Sequence, residues 1–188
     1  PCLYIGNNMI VLTYVDDCII IGPAIKEIDA FVTSMKDGNE NFVLTDEGDI
    51  DKFLGIEITQ LDKNRFKISQ PYLIDRIVSL LSLNQDELGH QTNPKATPVG
   101  KPVLNKDLSG KPRKEDWTYH TAVGMLTYLQ GNSRPEISMS VHQTARFCND
   151  PKLTHEKAIK RLGRYLLHTR SEGIVYNPDI SKGLECYV

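Results

Sequence analysis

The 188-residue chain lacks the cysteine pattern of a zinc site or a disulfide scaffold. Its four cysteines are scattered and form no CxxC pair, so a reducing compartment fits best. No apolar stretch approaches the roughly 20 residues that a membrane span requires. The N-terminus has no basic lead followed by a long apolar segment, so no secretion signal is expected. These absences predict an intracellular protein without a membrane partner.

An initiator methionine is also missing, because the chain opens at Pro1. This start predicts a segment of a longer protein. The content of 40% hydrophobic and 24% charged residues is ordinary for a globular protein. The length suffices for one large domain or two small ones.

The net charge of −2 conceals a strong asymmetry along the chain. Residues 1–62 contain 3 Lys/Arg and 12 Asp/Glu, whereas residues 63–188 contain 19 Lys/Arg and 12 Asp/Glu. Such a division favours metal or phosphate chemistry in the first part and contact with a nucleic-acid backbone in the second. Two solvated surfaces that differ by chance are the alternative.

Two β-branched runs, Met9–Thr13 and Cys18–Ile21, flank the tetrad Tyr14–Asp17. Strand-forming runs on either side of a short polar turn predict a β-hairpin with the tetrad at its tip. An amphipathic helix is predicted next, because apolar residues recur at three- and four-residue spacing from Ile28 to Met35.

A second hairpin is predicted from Phe53–Thr59 and Arg65–Ser69. Ser69 is expected to cap a helix with Pro71 in its first turn. The apolar face of that helix is formed by Ile74, Ile77, Val78 and Leu81.

Residues 83–116 are polar and contain several prolines and glycines. They predict an extended linker of about thirty residues, which is long for the interior of a compact domain. Three helices are predicted after it, at Trp117–Gln130, Pro135–Phe147 and His155–His168, followed by the start of a sheet at Gly173–Tyr176 and Leu184–Val188. The predicted domains are therefore 1–82, 83–116 and 117–188. The predicted fold class is α+β, an antiparallel hairpin sheet with packed helices followed by a mostly helical region.

Two adjacent carboxylates, Asp16 and Asp17, occupy the tip of the first hairpin. Holding them together is electrostatically unfavourable unless a cation joins them. Oxygen ligands of this kind suit Mg²⁺, and two-metal phosphoryl transfer needs carboxylates that hold two ions about 3.5–4 Å apart. The alternative is a solvent-exposed acidic turn, because Asp is common in turns.

The tetrad Tyr-Val-Asp-Asp between apolar strands resembles the metal-binding motif of reverse transcriptases, and the rest of the chain resembles their copia branch. Phe53-Leu54-Gly55-Ile56 and Arg134-Pro135-Glu136-Ile137 match motifs of that branch. Further matching positions are Tyr119-His120, Val123-Gly124, Leu126, Tyr128-Leu129, Arg146-Phe147, Pro151, His155, Ala158, Arg161 and Arg164-Tyr165-Leu166. The resemblance covers nearly the whole chain.

The resemblance implies DNA synthesis templated by RNA or DNA, with two Mg²⁺ ions, or Mn²⁺, as cofactors. Asp16 would coordinate catalytic metal, Asp17 would support the site, and Tyr14 and Val15 would lie near the primer terminus or the incoming dNTP. Phe53, Leu54 and Gly55 would belong to the region that grips the primer. In this scheme residues 1–82 are the end of the palm and the start of the thumb, and residues 117–188 are the connection.

The resemblance also implies that the third catalytic carboxylate and the fingers lie upstream of Pro1, and that RNase H follows Val188. This chain alone is therefore expected to be inactive as a polymerase. The expected partners are a primed template, dNTPs and the remainder of a Pol polyprotein, and the expected location is a cytoplasmic virus-like particle. A nucleic-acid-binding remnant of a decayed element is the alternative function.

A basic face is predicted on the last helix, where cations recur at helical spacing, namely Lys157, Lys160, Arg161 and Arg164. Such a face can neutralise phosphates of a nucleic acid. An ordinary solvated face is the alternative. His120 and His155 are interpreted as structural, and Trp117 and Tyr119 as core residues.

Overall fold

The computed structural model describes residues 2–38, 43–83, 93, 95–100 and 103–178. They form two compact units, Pro1–Phe53 and Leu54–Val188. The α+β fold class is confirmed, since antiparallel strands precede a mostly helical region. None of the helices within these described ranges is long and apolar enough to cross a membrane. The predicted strand at Leu184–Val188 lies outside the described residues.

The first unit is an antiparallel sheet of three strands in the order β1-β2-β3. Its elements are β1 (Leu3–Gly6), β2 (Met9–Tyr14), β3 (Asp17–Ile21), α1 (Ile25–Lys36) and β4 (Lys52–Phe53). The predicted first hairpin and its helix are confirmed. Strand β1 was not predicted. It is joined to β2 by a tight turn in which Asn7 and Asn8 have φ values of 50° and 59°. The sequence signal for this turn was the Asn-Asn pair, because two consecutive residues with positive φ are typical of a hairpin.

The sheet of the second unit contains β5 (Ile56–Gln60), β6 (Phe66–Ser69) and β7 (Ile174–Tyr176), with β6 antiparallel to both neighbours. The predicted hairpin is confirmed, but its first strand begins at Ile56. Leu54 and Gly55 have φ values of 51° and 76°, which a regular strand does not accommodate. The predicted strand Phe53–Thr59 is therefore wrong at Leu54 and Gly55, whereas Phe53 lies in β4 and Ile56–Thr59 lie in β5.

The helices of the second unit are α2 (Pro71–Leu80), α3 (Tyr119–Asn132), α4 (Ser138–Ala145) and α5 (Leu153–His168). A 3₁₀ turn at Pro135–Ile137 leads into α4, so the predicted helix Pro135–Phe147 is regular only in its second part. Pro71 lies in the first turn of α2 as predicted, but Gln70 is the residue before the helix and makes no side-chain cap. The prediction of Ser69 as the cap is wrong because Ser69 ends β6.

The hydrophobic core of the described chain lies entirely within the second unit. Its fully buried side chains come from α2, α3, the 3₁₀ turn and α5, and include Ile74, Ile77, Leu126, Leu129, Ile137, Ile159, Leu162 and Leu166. Burying each such side chain contributes about 1.5–3 kcal/mol. This core fixes the helices on which the basic residues stand.

The described part of the 83–116 segment belongs to the second unit and is joined to its helices. Backbone amides of Lys114 and Glu115 donate to the buried Glu156 carboxylate, and Leu104 donates to Gln143. These bonds hold the segment on the helices. The predicted partition into palm, linker and connection remains a prediction.

Candidate metal-binding turn and basic helix

The tip of the first hairpin is a two-residue turn formed by Val15 and Asp16, with Tyr14 paired to Asp17 across the strands. Val15 has a φ of 54° and its side chain is 87% exposed. Positive φ is unusual for a β-branched residue and carries a strain of about 1–3 kcal/mol. Strain of this kind occurs preferentially at functional sites, so the turn is a candidate site on backbone geometry alone.

The carboxylates of Asp16 and Asp17 are both exposed. Among the described residues, neither has a hydrogen-bond or ion-pair partner. The same residues contain no group of three or more His, Cys, Asp or Glu side chains able to hold a metal ion. Two free oxygen ligands fit part of a magnesium site, because Mg²⁺ typically takes one or two carboxylates and completes its shell with water and phosphate oxygens.

The residues predicted to lie near primer or nucleotide, Tyr14 and Val15, flank and form this turn. Tyr14 is 56% exposed, so both side chains are accessible beside the carboxylates. The structure thus brings together the four residues of the tetrad at one hairpin tip. Their roles toward primer and nucleotide remain predictions.

The predicted primer-gripping residues are divided between the two units. Phe53 ends β4 in the first unit, whereas Leu54 and Gly55 form the turn that opens the second. The Leu54 carbonyl accepts a hydrogen bond of 2.8 Å from the Tyr128 hydroxyl on α3. This contact anchors the turn to the helical core.

The four predicted phosphate-contacting cations share one side of α5, since Lys157 and Arg161, and likewise Lys160 and Arg164, are four residues apart. Lys160 donates to the Glu115 carboxylate at 2.6 Å, so its charge is already paired. Arg161 donates to the Thr97 hydroxyl at 2.9 Å. Lys157 and Arg164 have no partner among the described residues. The structure therefore distinguishes two cations without a described partner, Lys157 and Arg164, from Lys160 and Arg161, which bind residues of the 83–116 segment.

Arg134 is a buried cation whose structural role was not predicted. Its guanidinium donates to the carbonyl and hydroxyl of Thr169 at 2.9 and 2.6 Å and to Glu136 at 2.7 Å, while the residue is 1% exposed. The group also lies 5.6 Å from the Tyr165 ring centroid. Arg134 thus joins the 3₁₀ turn to the end of α5. The alternation of Arg134 and Glu136 around Pro135 was the available signal.

The prediction that His155 is structural is confirmed. Its Nδ1 accepts from the Lys152 amide at 2.9 Å, its Nε2 lies 3.0 Å from the Asn105 carbonyl, and its ring stacks on Phe147. These bonds require the neutral tautomer with the proton on Nε2. His120 is exposed and its side chain has no hydrogen-bond partner among the described residues, so its structural role remains a prediction.

Tyr119 and Trp117 lie in or against the core, as predicted. Burial raises the pKa of Tyr119, whose hydroxyl donates to the Thr144 carbonyl at 3.0 Å. The phenol therefore stays protonated and holds α3 to α4. Arg113 lies 4.3 Å over the Trp117 ring and 3.5 Å from Glu156, which completes a buried polar cluster beside these aromatics.

A pair of free carboxylates on a strained hairpin tip, in an α+β fold with a basic helix, is typical of enzymes that transfer phosphoryl or nucleotidyl groups. The profile of the family described as "Reverse transcriptase (RNA-dependent DNA polymerase)" matches residues 2–101, which is more than half of the chain. The chain belongs to this family.

Several curated proteins are similar to almost the entire chain. A putative transposon Ty5-1 protein of Saccharomyces cerevisiae is 28% identical over 94% of this chain and 54% of its own length. Retrovirus-related Pol polyproteins from transposon TNT 1-94 of Nicotiana tabacum and transposon RE1 of Arabidopsis thaliana are 28% and 26% identical, over 94% and 97% of this chain. The chain spans only 14% and 12% of those polyproteins. No solved structure matches it significantly.

Proposed function

We propose that this chain forms the carboxylate-bearing part of a retrotransposon reverse transcriptase that carries out templated DNA synthesis. The observation that carries the proposal is the pair of exposed, unpartnered carboxylates on the strained Val15–Asp16 turn, in a chain of this family. The expected partners are a primed RNA or DNA template, dNTPs and the rest of a Pol polyprotein with RNase H.

Asp16 and Asp17 are the residues proposed to hold Mg²⁺, or Mn²⁺. When bound, two such ions neutralise charge on the attacking and leaving oxygens of an in-line displacement. The hairpin positions the two carboxylates, because the pairing of Tyr14 with Asp17 limits their movement. Since neither carboxylate has a partner in the part of the chain that the structure describes, their oxygens are available as ligands.

Further oxygen ligands are needed for two ions, since the described residues offer only this pair of carboxylates at the turn. We therefore expect the purified 188-residue chain to extend no primer. The polymerase assay should therefore use the longer protein encoded by the parent reading frame, with the 188-residue chain as a comparison.

The decisive variant is Asp16→Asn in that longer protein. Losing a metal ligand removes several kcal/mol of transition-state stabilisation, which corresponds to a loss of about 10³-fold in primer extension. Asp29→Asn is the matched control, because Asp29 is an exposed acid on α1 of the same unit. Unchanged extension by the Asp16 variant would contradict the proposal.

A second measurement separates metal binding from catalysis. Broadening of the Asp16 and Asp17 resonances by Mn²⁺ should appear in the isolated chain and disappear in Asp16→Asn and Asp17→Asn. Broadening that is equal at Asp29 would mean that the turn has no particular affinity for the ion.

A further inference from the structure

A cleft of about 630 Å³ lies within the second unit, between the segment around residues 98–107 and helices α4 and α5. Its volume lies in the range of about 300–1,000 Å³ that is typical of small-molecule sites. None of its lining residues belongs to the hairpin that carries Asp16. The cleft is therefore a candidate site separate from the proposed catalytic carboxylates.

Two polar atoms in the lining of this cleft are buried without a hydrogen-bond partner among the described residues, namely Ser140 Oγ and Arg161 Nε. Ser140 is 8% exposed. More than about 90% of buried polar groups in proteins are hydrogen-bonded, so each exception requires an explanation. Of the six such side-chain atoms among the described residues, these two belong to the lining of one cleft, which points to a ligand that accepts hydrogen bonds there.

The charged groups of the lining are mainly cationic. Lys157 and Arg161 stand one helical turn apart on α5, and Lys106 faces them from the opposite segment. Asp107 is the acid of this described lining, and its carboxylate accepts from the Thr154 hydroxyl at 2.9 Å. Three cations against one occupied carboxylate favour an anion.

The position of the Arg161 guanidinium indicates which kind of anion the cleft can bind. One terminal nitrogen is held by the Thr97 hydroxyl, and a Cβ at Gly100 would come within 3.0 Å of Arg161 Cδ. The guanidinium is therefore fixed, and the absence of a side chain at position 100 leaves it room. A fixed planar fork beside a lysine ammonium matches the oxygens of a phosphate.

Part of the remaining lining is apolar and lies beyond the reach of a bare ion. The apolar residues are Pro98, Val99, Val103, Leu104 and Ala158, and the polar residues Asn105, Gln143 and Thr144 complete the lining. We infer that the cleft binds a nucleotide, with its phosphate on Lys157 and Arg161, the Ser140 hydroxyl as a further donor, and its sugar or base on the apolar wall. The nucleotide is either free or part of a nucleic-acid strand, and its binding does not depend on Asp16 or Asp17.

The test is a titration of the full 188-residue chain with a deoxynucleoside monophosphate, the same deoxynucleoside without phosphate, and a short single-stranded oligonucleotide, followed by NMR shifts and calorimetry. The monophosphate should bind more tightly than the deoxynucleoside. Lys157→Gln should weaken this binding about tenfold, the effect of one lost charge-assisted hydrogen bond. Because Lys157 is exposed and has no partner in the described chain, this variant should fold normally.

Arg76→Gln is the matched control, since it removes an exposed arginine from helix α2 of the same unit, outside both the cleft and the basic face of α5. It should leave binding unchanged. Ser140→Ala should weaken binding several-fold without lowering the melting temperature of the free chain, because the hydroxyl has no partner to lose among the described residues. If Ser140 has only a structural role, Ser140→Ala should lower the melting temperature and leave binding unchanged.

The outcomes also distinguish the two sources of the nucleotide. Binding of the monophosphate identifies a free-nucleotide site. Binding of the oligonucleotide alone, weakened by Lys157→Gln and not by Arg76→Gln, identifies a strand-borne nucleotide. Equal losses from both variants, equal binding of the phosphate-free deoxynucleoside, or no binding at millimolar concentrations would overturn the inference.

Discussion

The two units differ in where their apolar side chains lie. In the second unit, the buried hydrophobic residues between Ile74 and Leu166 form a continuous core. In the first unit, no described residue is buried, and Leu3, Tyr4 and Ile5 on β1 are each at least half exposed. Three strands and one helix of this size cannot enclose a core, so the first unit owes its shape mainly to strand pairing.

Their charges differ in the same way. The cations Arg134, Arg113 and Lys160 of the second unit are bound to carboxylates and carbonyls that join its elements. At the tip of the first unit, Asp16 and Asp17 have no described partner. The structure thus distinguishes charged groups that stabilise the fold from charged groups that are available to a ligand. The amino-acid composition does not make this distinction.

Truncating a core leucine should have the largest effect and would test the packing comparison directly. Leu126 on α3 is fully buried, so Leu126→Ala should lower the free energy of unfolding by about 2–5 kcal/mol. Urea unfolding can be followed by fluorescence of Trp117, the single tryptophan, which packs against this core. The signal therefore reports on the second unit.

Leu3→Ala is the counterpart in the first unit, where the side chain is 50% exposed. It should change the stability of the hairpin, measured by amide hydrogen exchange, by less than about 1 kcal/mol. A loss comparable to that of Leu126→Ala would mean that the first unit has a core after all.

Removing the buried guanidinium should have the next largest effect. Arg134→Met keeps much of the side-chain length but leaves the Thr169 carbonyl and hydroxyl without their donor. We expect a loss of about 2–3 kcal/mol in the free energy of unfolding, because hydrogen bonds of charged groups are replaced by buried unsatisfied atoms. Urea unfolding monitored at Trp117 measures it.

Arg170→Met provides the comparison for Arg134, since Arg170 pairs with Asp75 at the surface and its side chain is 48% exposed. Its cost should be at most about 1 kcal/mol. Equal costs for the two variants would show that burial adds nothing to the role of Arg134.

The sequence predicted much of the secondary structure because local rules determined it. The hairpin around the tetrad, the helix after Pro71 and the three later helices follow from periodicity and turn chemistry, and the structure has them. The predicted strand bounds were wrong at Leu54 and Gly55, which have positive φ values and lie in a turn that receives a hydrogen bond from Tyr128 on a distant helix. A contact over that separation leaves no local pattern.

In the candidate site, too, the features that depend on neighbouring residues were predictable and those that depend on distant contacts were not. The carboxylate pair was visible because its residues are adjacent in the sequence. The division of the basic face was not visible, because Glu115 and Thr97 reach Lys160 and Arg161 from 45 and 64 residues away. The buried polar atoms of Ser140 and Arg161 were likewise beyond prediction, since burial is a property of the packed chain.

A smaller effect is expected at the strained turn of the first unit. Val15→Gly should stabilise the hairpin by about 1 kcal/mol, because glycine accepts a φ of 54° without the strain of a β-branched side chain. Hydrogen exchange of the Tyr14 and Asp17 amides measures the change. Val11→Gly, within β2, should have the opposite sign, because glycine weakens a regular strand. Equal signs would exclude strain at Val15 as the cause.

The smallest predicted effect concerns the surface pair in which Arg170 contacts both oxygens of Asp75 at 2.5 Å. The hydrogen bond from Arg170 lowers the pKa of Asp75 below its ordinary value of 3.8. A lowered folded-state pKa stabilises the fold above the unfolded pKa, and this contribution is lost as the pH falls through the folded value. Because both side chains are about half exposed, it should not exceed about 1 kcal/mol.

Asp75→Asn tests this pH dependence against the native chain. The native chain should be slightly more stable than the variant at pH 7, and the difference should begin to shrink near pH 4 and vanish at lower pH. High salt should reduce the difference at pH 7, because exposed charges are screened. If the difference in stability persists at low pH, the effect comes from packing of the Asp75 side chain and not from its charge. Packing would then stabilise the surface of the second unit as well as its core.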